Sequence, residues 1–282
     1  MSIALVTDSS TNLSAETIER FGIHLIPILL TIDGEVVREH YDVTPEMYYQ
    51  RLVLALDHPT TNQPSVDTFI EMYTRLRARY DTIISVHVSS LLSGTVASAQ
   101  RAARSVEDVD IHVIDSLNMS YAAGLLVHEA ARLIASGEHS VEQIVARLQR
   151  MRDGLHLYVM LDDLAFLERS GRIGRVVRVV GSLLDAKPVI TIKQGGLDIY
   201  ERVRSRQAGI DLLRTLAVQG TQGSSGAHLA VAHFRAAEEA DDLLTDLAAT
   251  INPVICLSGE IAPSLITHSG PGTVGVAWWR GD

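Results

Sequence analysis

Along the first half of the chain, short β-branched runs alternate with longer stretches in which apolar residues recur every three or four positions. Ile3 to Thr7, Thr82 to Val88 and Val109 to Ile114 read as buried strands. Helices are predicted from Ser14 to Gly22, from Thr44-Pro45, after Ser65, over Val96 to Val106, from Asn118 to Ala135 and from Ser140 to Arg152. Thr44 caps its helix, and Pro45 falls in the first turn, where its missing N–H costs nothing. Asp33-Gly34, between His24–Ile32 and Val36–Glu39, predicts a hairpin, with Asp42 a turn residue beyond it. Thr60-Thr61-Asn62-Gln63-Pro64-Ser65 reads as a stiff polar loop, because Pro64 keeps Gln63 extended. Strand alternating with helix is the pattern of a parallel sheet.

From Leu155 the pattern changes. Leu157 to Leu161 predicts a strand, Asp162 to Arg169 a short helix and Ser170 to Gly174 a break. Lys187–Lys193 and Leu197–Arg204, joined by Gln194-Gly195-Gly196, predict an antiparallel hairpin. A helix over Ala208 to Val218, a linker from Gly220 to Gly226, a strand over Ala227 to His233 and a helix over Ala236 to Ala249 follow. The tail from Leu265 to Gly275 leads into a strand, Val276 to Trp279, and the GxGxxG match at Gly270–Gly275 reads as a turn between two strands. The expected fold is α/β in two lobes: a three-layer parallel-sheet lobe over residues 1–155 and an α+β lobe with a mixed or antiparallel sheet over 156–282.

Three predicted parallel strands end in polar turns: Asp8-Ser9-Ser10-Thr11, Ser89-Ser90-Leu91-Leu92-Ser93-Gly94-Thr95 and Asp115-Ser116. In open α/β sheets ligands lie beyond the carboxyl ends of the strands, where a helix start offers unpaired N–H groups. The middle turn carries four hydroxyls in seven residues, whereas a helix cap needs one. Asp8, Ser93 and Asp115 along one sheet edge point to a small anion, a carboxylate or a phosphate.

Composition narrows the classes. The 282 residues carry a formal net charge of −10, which argues against a nucleic-acid binder, since phosphate neutralisation needs clustered cations. Arg169, Arg172, Arg175 and Arg178, with Arg202, Arg204 and Arg206, form a local basic exception. The single cysteine, Cys256, sits in the apolar run Val254 to Leu257 and is expected in the core. The longest apolar stretch, Leu25 to Ile32, is short and carries Pro27, and only Met1 and Ser2 precede the first strand. The expectation is a cytoplasmic protein with no signal peptide and no stable membrane insertion.

Familiar catalytic signatures do not hold up. The GxGxxG match lacks the strand-to-helix setting of a dinucleotide site. There is no P-loop lysine, no GxSxG elbow and no HExxH, so neither a metal site nor a cofactor is expected. His268 stands out by context, between Thr267 and Ser269 and ahead of glycines that let backbone approach a ligand.

Taken together, Val6-Thr7-Asp8-Ser9, Thr61-Asn62-Gln63-Pro64-Ser65, Ser89 to Thr95, Val113 to Ser116, Gly171-Arg172-Ile173, Lys187-Pro188, Glu201 to Arg204 and His268 to Gly275 resemble the bacterial DegV family, which includes the fatty-acid-binding subunits of fatty acid kinase. The resemblance spans the chain. It implies two α/β lobes with a long-chain fatty acid between them, the tail in an apolar tunnel and the carboxylate held by Thr61, Ser93 and His268, with Asn62 and Gly94 beside them. The family's usual Thr-Ser-Gln-Pro-Ser reads Thr61-Asn62-Gln63-Pro64-Ser65 here, which removes one hydroxyl and leaves an amide. The resemblance also implies no catalytic residue in this chain. By the same resemblance a separate ATP-binding kinase subunit, met transiently, would phosphorylate the carboxylate to an acyl-phosphate, and Arg172 and Arg202 are the expected headgroup-facing or kinase-facing cations. Two other readings stand beside this one: a regulatory or adaptor module for a small polar anion, and an acyl hydrolase with Ser93 as nucleophile, His268 as base and Asp8 or Asp115 as orienting acid.

Overall fold

The computed structural model describes residues 2–172 and 186–281. Its first sheet contains β1 (Ile3–Asp8), β2 (His24–Ile26), β6 (Thr82–His87) and β7 (Asp110–Asp115) in the order β2-β1-β6-β7, all parallel. The crossovers are α1 (Ala15–Phe21), α3 (Val66–Arg77) and α4 (Thr95–Ala103), and α5 (Ser120–Ser136) leaves β7. Alternation along β1 sends Ala4 and Val6 towards Phe69, Tyr73 and Ala99 of α3 and α4, while Leu5 faces Ala122 and Leu125 of α5. Helices on both faces make this lobe three-layered.

Between β2 and α3 lies a small antiparallel sheet of β3 (Leu29–Ile32), β4 (Glu35–Arg38) and β5 (Thr60–Asn62), in the order β4-β3-β5, with α2 (Pro45–Leu54) between β4 and β5. Two expectations change here. The run His24–Ile32 is divided at Pro27, whose missing N–H stops the ladder, so its halves join different sheets. Thr60–Asn62 is a strand paired with Leu29–Thr31, and the stiff loop begins only at Gln63. The Asp33-Gly34 hairpin is present, and Asp42 pairs with Arg38 across a turn at 2.8 Å.

After α6 (Val141–Asp153) comes the second sheet, formed by β8 (Leu155–Met160), β9 (Lys187–Lys193), β10 (Gly196–Val203), β11 (His228–Phe234), β12 (Ile255–Glu260) and β13 (Thr273–Trp279). Its order is β10-β9-β8-β13-β11-β12, antiparallel except for the β11–β12 pair. α7 (Ala165–Ser170) follows β8, and α8 (Arg206–Thr221) and α9 (Ala237–Ile251) cover one face through Met160, Val231, Val274 and Val276. The opposite face turns towards α5. Residues Pro263–Ser269 form α10, opened by Pro263, so the glycine turn expected between two strands in the Leu265–Gly275 tail follows a helix instead. Cys256 is exposed rather than core: β12 is an edge strand in which Ile255 points inward and its neighbour outward.

The lobes are tied together at several points. The Ser89 hydroxyl donates to Gly195 O at 2.7 Å, and Asn12 Nδ2 donates to Glu260 O at 2.9 Å. α5 presses on the turn after β1 so closely that a Cβ on Gly124 would lie 2.4 Å from the Thr11 carbonyl oxygen. Alanine is the better helix former by about 1 kcal/mol, yet Gly124→Ala is expected to lower stability by about 1–3 kcal/mol, because backbone must move to admit the methyl. Urea denaturation checks this; a stabilised variant would contradict the close approach.

Candidate functional site

The cavity lies between the second sheet, α5, α10 and the carboxyl ends of the parallel strands, and encloses about 980 Å³ when the space at its open mouth is included. Its floor is one row of paired positions across four strands: Ile190 on β9, Val159 on β8, Gly275 on β13 and Ala232 on β11. The two-residue period of the strands explains the row, since the alternate residues pack under α8 and α9. Leu157, Leu161, Leu167, Ile28 and Val88 extend this apolar lining.

One region of the wall is polar. Thr61 and Asn62 come from β5, Gln63 follows them, Ser93 precedes α4, and His268 and Ser269 end α10. The His268 imidazole Nε2 is 3.2 Å from Thr61 Oγ1. Its Nδ1 and the Ser269 and Ser120 hydroxyls are buried with no partner among the described residues. Burial pushes the His268 imidazole down to about 3, and Arg172 and His58 act in the same direction. α10 is braced from α2 by Tyr48, whose hydroxyl lies 2.6 Å from Thr267 Oγ1, and from the β5 approach by His58 Nε2, 2.9 Å from Thr267 O.

The expected site residues divide. Thr61, Asn62, Ser93 and His268 all line the cavity, and Arg172 reaches it from an exposed position, donating to Thr61 O and to Ser170 O, each at 3.2 Å. The Asn62 amide turns aside to Thr31 Oγ1 at 3.2 Å. Gly94 is not on the wall: a Cβ there would lie 2.7 Å from the Gln63 amide nitrogen, so the glycine leaves room for Gln63, which is on the wall. Arg202, half-buried on β10 opposite Pro188, does not line the cavity. Arg206 is held by Asp162 and Glu239 and does not extend a free basic face, and Arg175 and Arg178 lie outside the described residues.

The hydroxyl-rich turn converges less than its composition implies. Ser89 is spent on Gly195, Ser90 is exposed with its N–H on Asp115, and Thr95 is hydrogen-bonded to Ser93 at 2.8 Å. Asp8 is committed to His87 at 3.0 Å. Ser93 therefore has no hydrogen bond to His268, and no carboxylate accepts from His268 Nδ1 among the described residues. A nucleophile, base and orienting acid are not assembled. The same residues contain no group of three or more His, Cys, Asp or Glu able to hold a metal ion, and no helix long and apolar enough to cross a membrane.

Sequence reading missed Ser10, Ser120, Ser264 and Gln63 as wall residues. The first and last lie within motifs already noticed, whereas Ser120 opens α5 with φ of +53°, a geometry no sequence pattern announced.

The candidate site is a cavity between two α/β lobes, apolar along one sheet and polar where helix starts and strand ends meet. A family model described as "Uncharacterised protein, DegV family" matches residues 2–280. The chain is 32% identical to Protein DegV of Bacillus subtilis over 278 residues, covering 99% of each. Among solved structures it resembles a fatty-acid-binding DegV family protein from Thermus thermophilus, with a TM-score of 0.93 and 29% identity. It also resembles the Bacillus subtilis structure described as DegV, a fatty acid binding protein, with a TM-score of 0.92 and 32% identity; each comparison covers 99% of both chains. The chain belongs to the DegV family.

With His268 buried and beside Arg172, its ring is expected to stay neutral in the unliganded protein from pH 8 down to pH 5. Unfolded chain binds that proton near pH 6.5, so between that value and about 3 the unfolded state holds more protons and His268 makes the fold less stable as pH falls. Ring ¹⁵N shifts check the ionisation; a midpoint at pH 6 or above would contradict it.

Proposed function

We propose that this protein is a cytoplasmic carrier that binds a long-chain fatty acid, with the tail along the apolar floor and the carboxylate at Thr61, Ser93 and His268. The observation that carries the reading is the one cavity with two chemistries: a wall of aliphatic side chains that ends at hydroxyls and a half-satisfied imidazole. A buried polar atom left unpaired costs about 1–3 kcal/mol, and an incoming carboxylate offsets that cost at His268 Nδ1 and the neighbouring hydroxyls. The descriptions of the related Thermus and Bacillus structures as fatty acid binding support the same ligand.

Energetics assign the roles. Burying an acyl chain of roughly fifteen methylenes contributes about 12 kcal/mol gross at about 0.8 kcal/mol each, less the ordering costs of association. The tail supplies affinity. The rim supplies orientation and discrimination against neutral lipids, because a carboxylate taken from water needs donors to match its lost hydration. Neutral His268 donates one hydrogen bond, and a bound carboxylate beside it favours the imidazolium, raising its pKa from the unliganded value.

In this reading the acid leaves unchanged by this chain, which is supported by Ser93 being hydrogen-bonded to Thr95 and His268 to Thr61 rather than to each other. We assign its consumption to a separate ATP-dependent kinase subunit that forms the acyl-phosphate. Arg172, exposed yet reaching the polar wall, is the cation placed to meet the added negative charge.

Binding of saturated acids of increasing length tests this by calorimetry. Each two-carbon extension is expected to tighten Kd by about tenfold until the cavity is filled, and Thr61→Ala and Ser93→Ala to weaken it by about tenfold each. The methyl ester should bind at least about tenfold less well than the acid. Equal binding of acid and ester, or no dependence on length, would move the assignment to a small polar anion.

A further inference from the structure

Glu39, just after β4, is 1% exposed, and both of its carboxyl oxygens are engaged. Oε2 accepts from the Ser9 hydroxyl and Oε1 from the Ser264 backbone N–H. Ser9 Oγ accepts in turn from the Ile28 N–H at 2.9 Å. Ile28, Ser264 and Ser10, the neighbour of Ser9, all line the cavity. One carboxyl group thus holds from behind the turn after β1, the link between β2 and β3, and the start of α10. Ser264 and His268 are four positions apart on α10, on one face, so the anchored amide lies one turn, roughly 6 Å of rise, before the imidazole.

We propose that Glu39 is a positioning residue for the headgroup site: it fixes α10 against the turn after β1, so setting where His268 meets a bound carboxylate, and it takes up a proton when that second carboxylate arrives. This rests on the fatty-acid reading above. Burial lifts the Glu39 carboxyl to about 7 against the lowering effect of Ser9 and Ser264, and Asp8 raises it further. The titratable groups that face it are Asp8 from β1, itself paired with His87, and Tyr48 from α2, and neither sets a cation against it. Both ionisation states are therefore populated near neutral pH, and an added anion favours the protonated one. Ser9 serves either state, since a hydroxyl donates and accepts.

The test follows the Ser264 amide by NMR in the unliganded protein and oleate affinity from pH 5.5 to 8.5, in wild type, Glu39→Gln and Glu39→Ala. Without ligand, the Ser264 amide shift is expected to titrate near pH 7 in wild type and to be flat in Glu39→Gln. Its hydrogen exchange should speed up in Glu39→Ala and not in Glu39→Gln, which keeps an acceptor. With oleate, wild-type affinity is expected to fall several-fold relative to Glu39→Gln as pH rises from 6 to 8. A Ser264 amide indifferent to pH and to both substitutions, or an oleate profile in Glu39→Gln parallel to wild type, overturns the proposal. Failure of wild type to bind oleate at any pH overturns its headgroup part through the reading it rests on, and an intact Ser264 titration distinguishes that failure from loss of the anchor.

Discussion

A fully buried carboxylate, Asp8, organises the carboxyl ends of the parallel strands. It closes β1 and accepts from the Val88 N–H at 3.0 Å just past β6, from His87 at the same distance, and from the N–H and hydroxyl of Ser10. Burial alone would push its carboxyl up, and these partners, His87 foremost, more than offset that and hold it below the usual carboxylate range. The consequences propagate outward. With Asp8 satisfied, the Ser9–Thr11 turn is held by its hydrogen bonds, Ser10 reaches the cavity, Ser9 engages Glu39, and the Thr11 carbonyl meets α5 at Gly124. His87 passes the chain of hydrogen bonds on to Ser85 and Tyr73, anchoring α3 to the same point.

In the proposed mode of binding, tail and headgroup meet different parts of the fold. The apolar floor is a property of the second sheet, where one face of each strand lines the cavity and the other packs on α8 and α9. The polar wall is assembled from loops and helix ends of both lobes: β5, the turn before α4, and α10. For the proposed fatty acid, a cavity divided in this way would let sheet composition set the shape of the tail space while a few hydroxyls and one imidazole meet the headgroup.

Much of this was legible in the residues. β-branched runs ending in polar turns, the Asp33-Gly34 hairpin and the change of pattern at Leu155 announce the parallel and mixed sheets, because each is a local signal. Ser93 and His268 stood out locally, through the hydroxyl-rich turn and the glycines after the histidine, whereas Thr61 and the shared role of all three as carboxylate contacts came through resemblance. No local rule brings residues more than 200 positions apart, such as Thr61 and His268, to 3.2 Å. Where sequence reading failed, tertiary context decided. Pro27 splits a run that looks continuous, Cys256 faces solvent because its strand is an edge, and α10 is a short helix whose start is held by Glu39. Glu39 itself was visible only as an acidic residue in phase with inward-facing Val37 along one strand, a pattern that gains meaning when its partners Ser9 and Ser264 are known.

The most direct measurement is the identity of what the folded protein carries. Denaturing freshly purified protein, extracting it with organic solvent and analysing the extract by mass spectrometry should yield a near-stoichiometric free fatty acid, which is lost when Thr61, Ser93 and His268 are replaced together. An extract without fatty acid, from protein that also fails to take up added oleate or palmitate, would contradict the account.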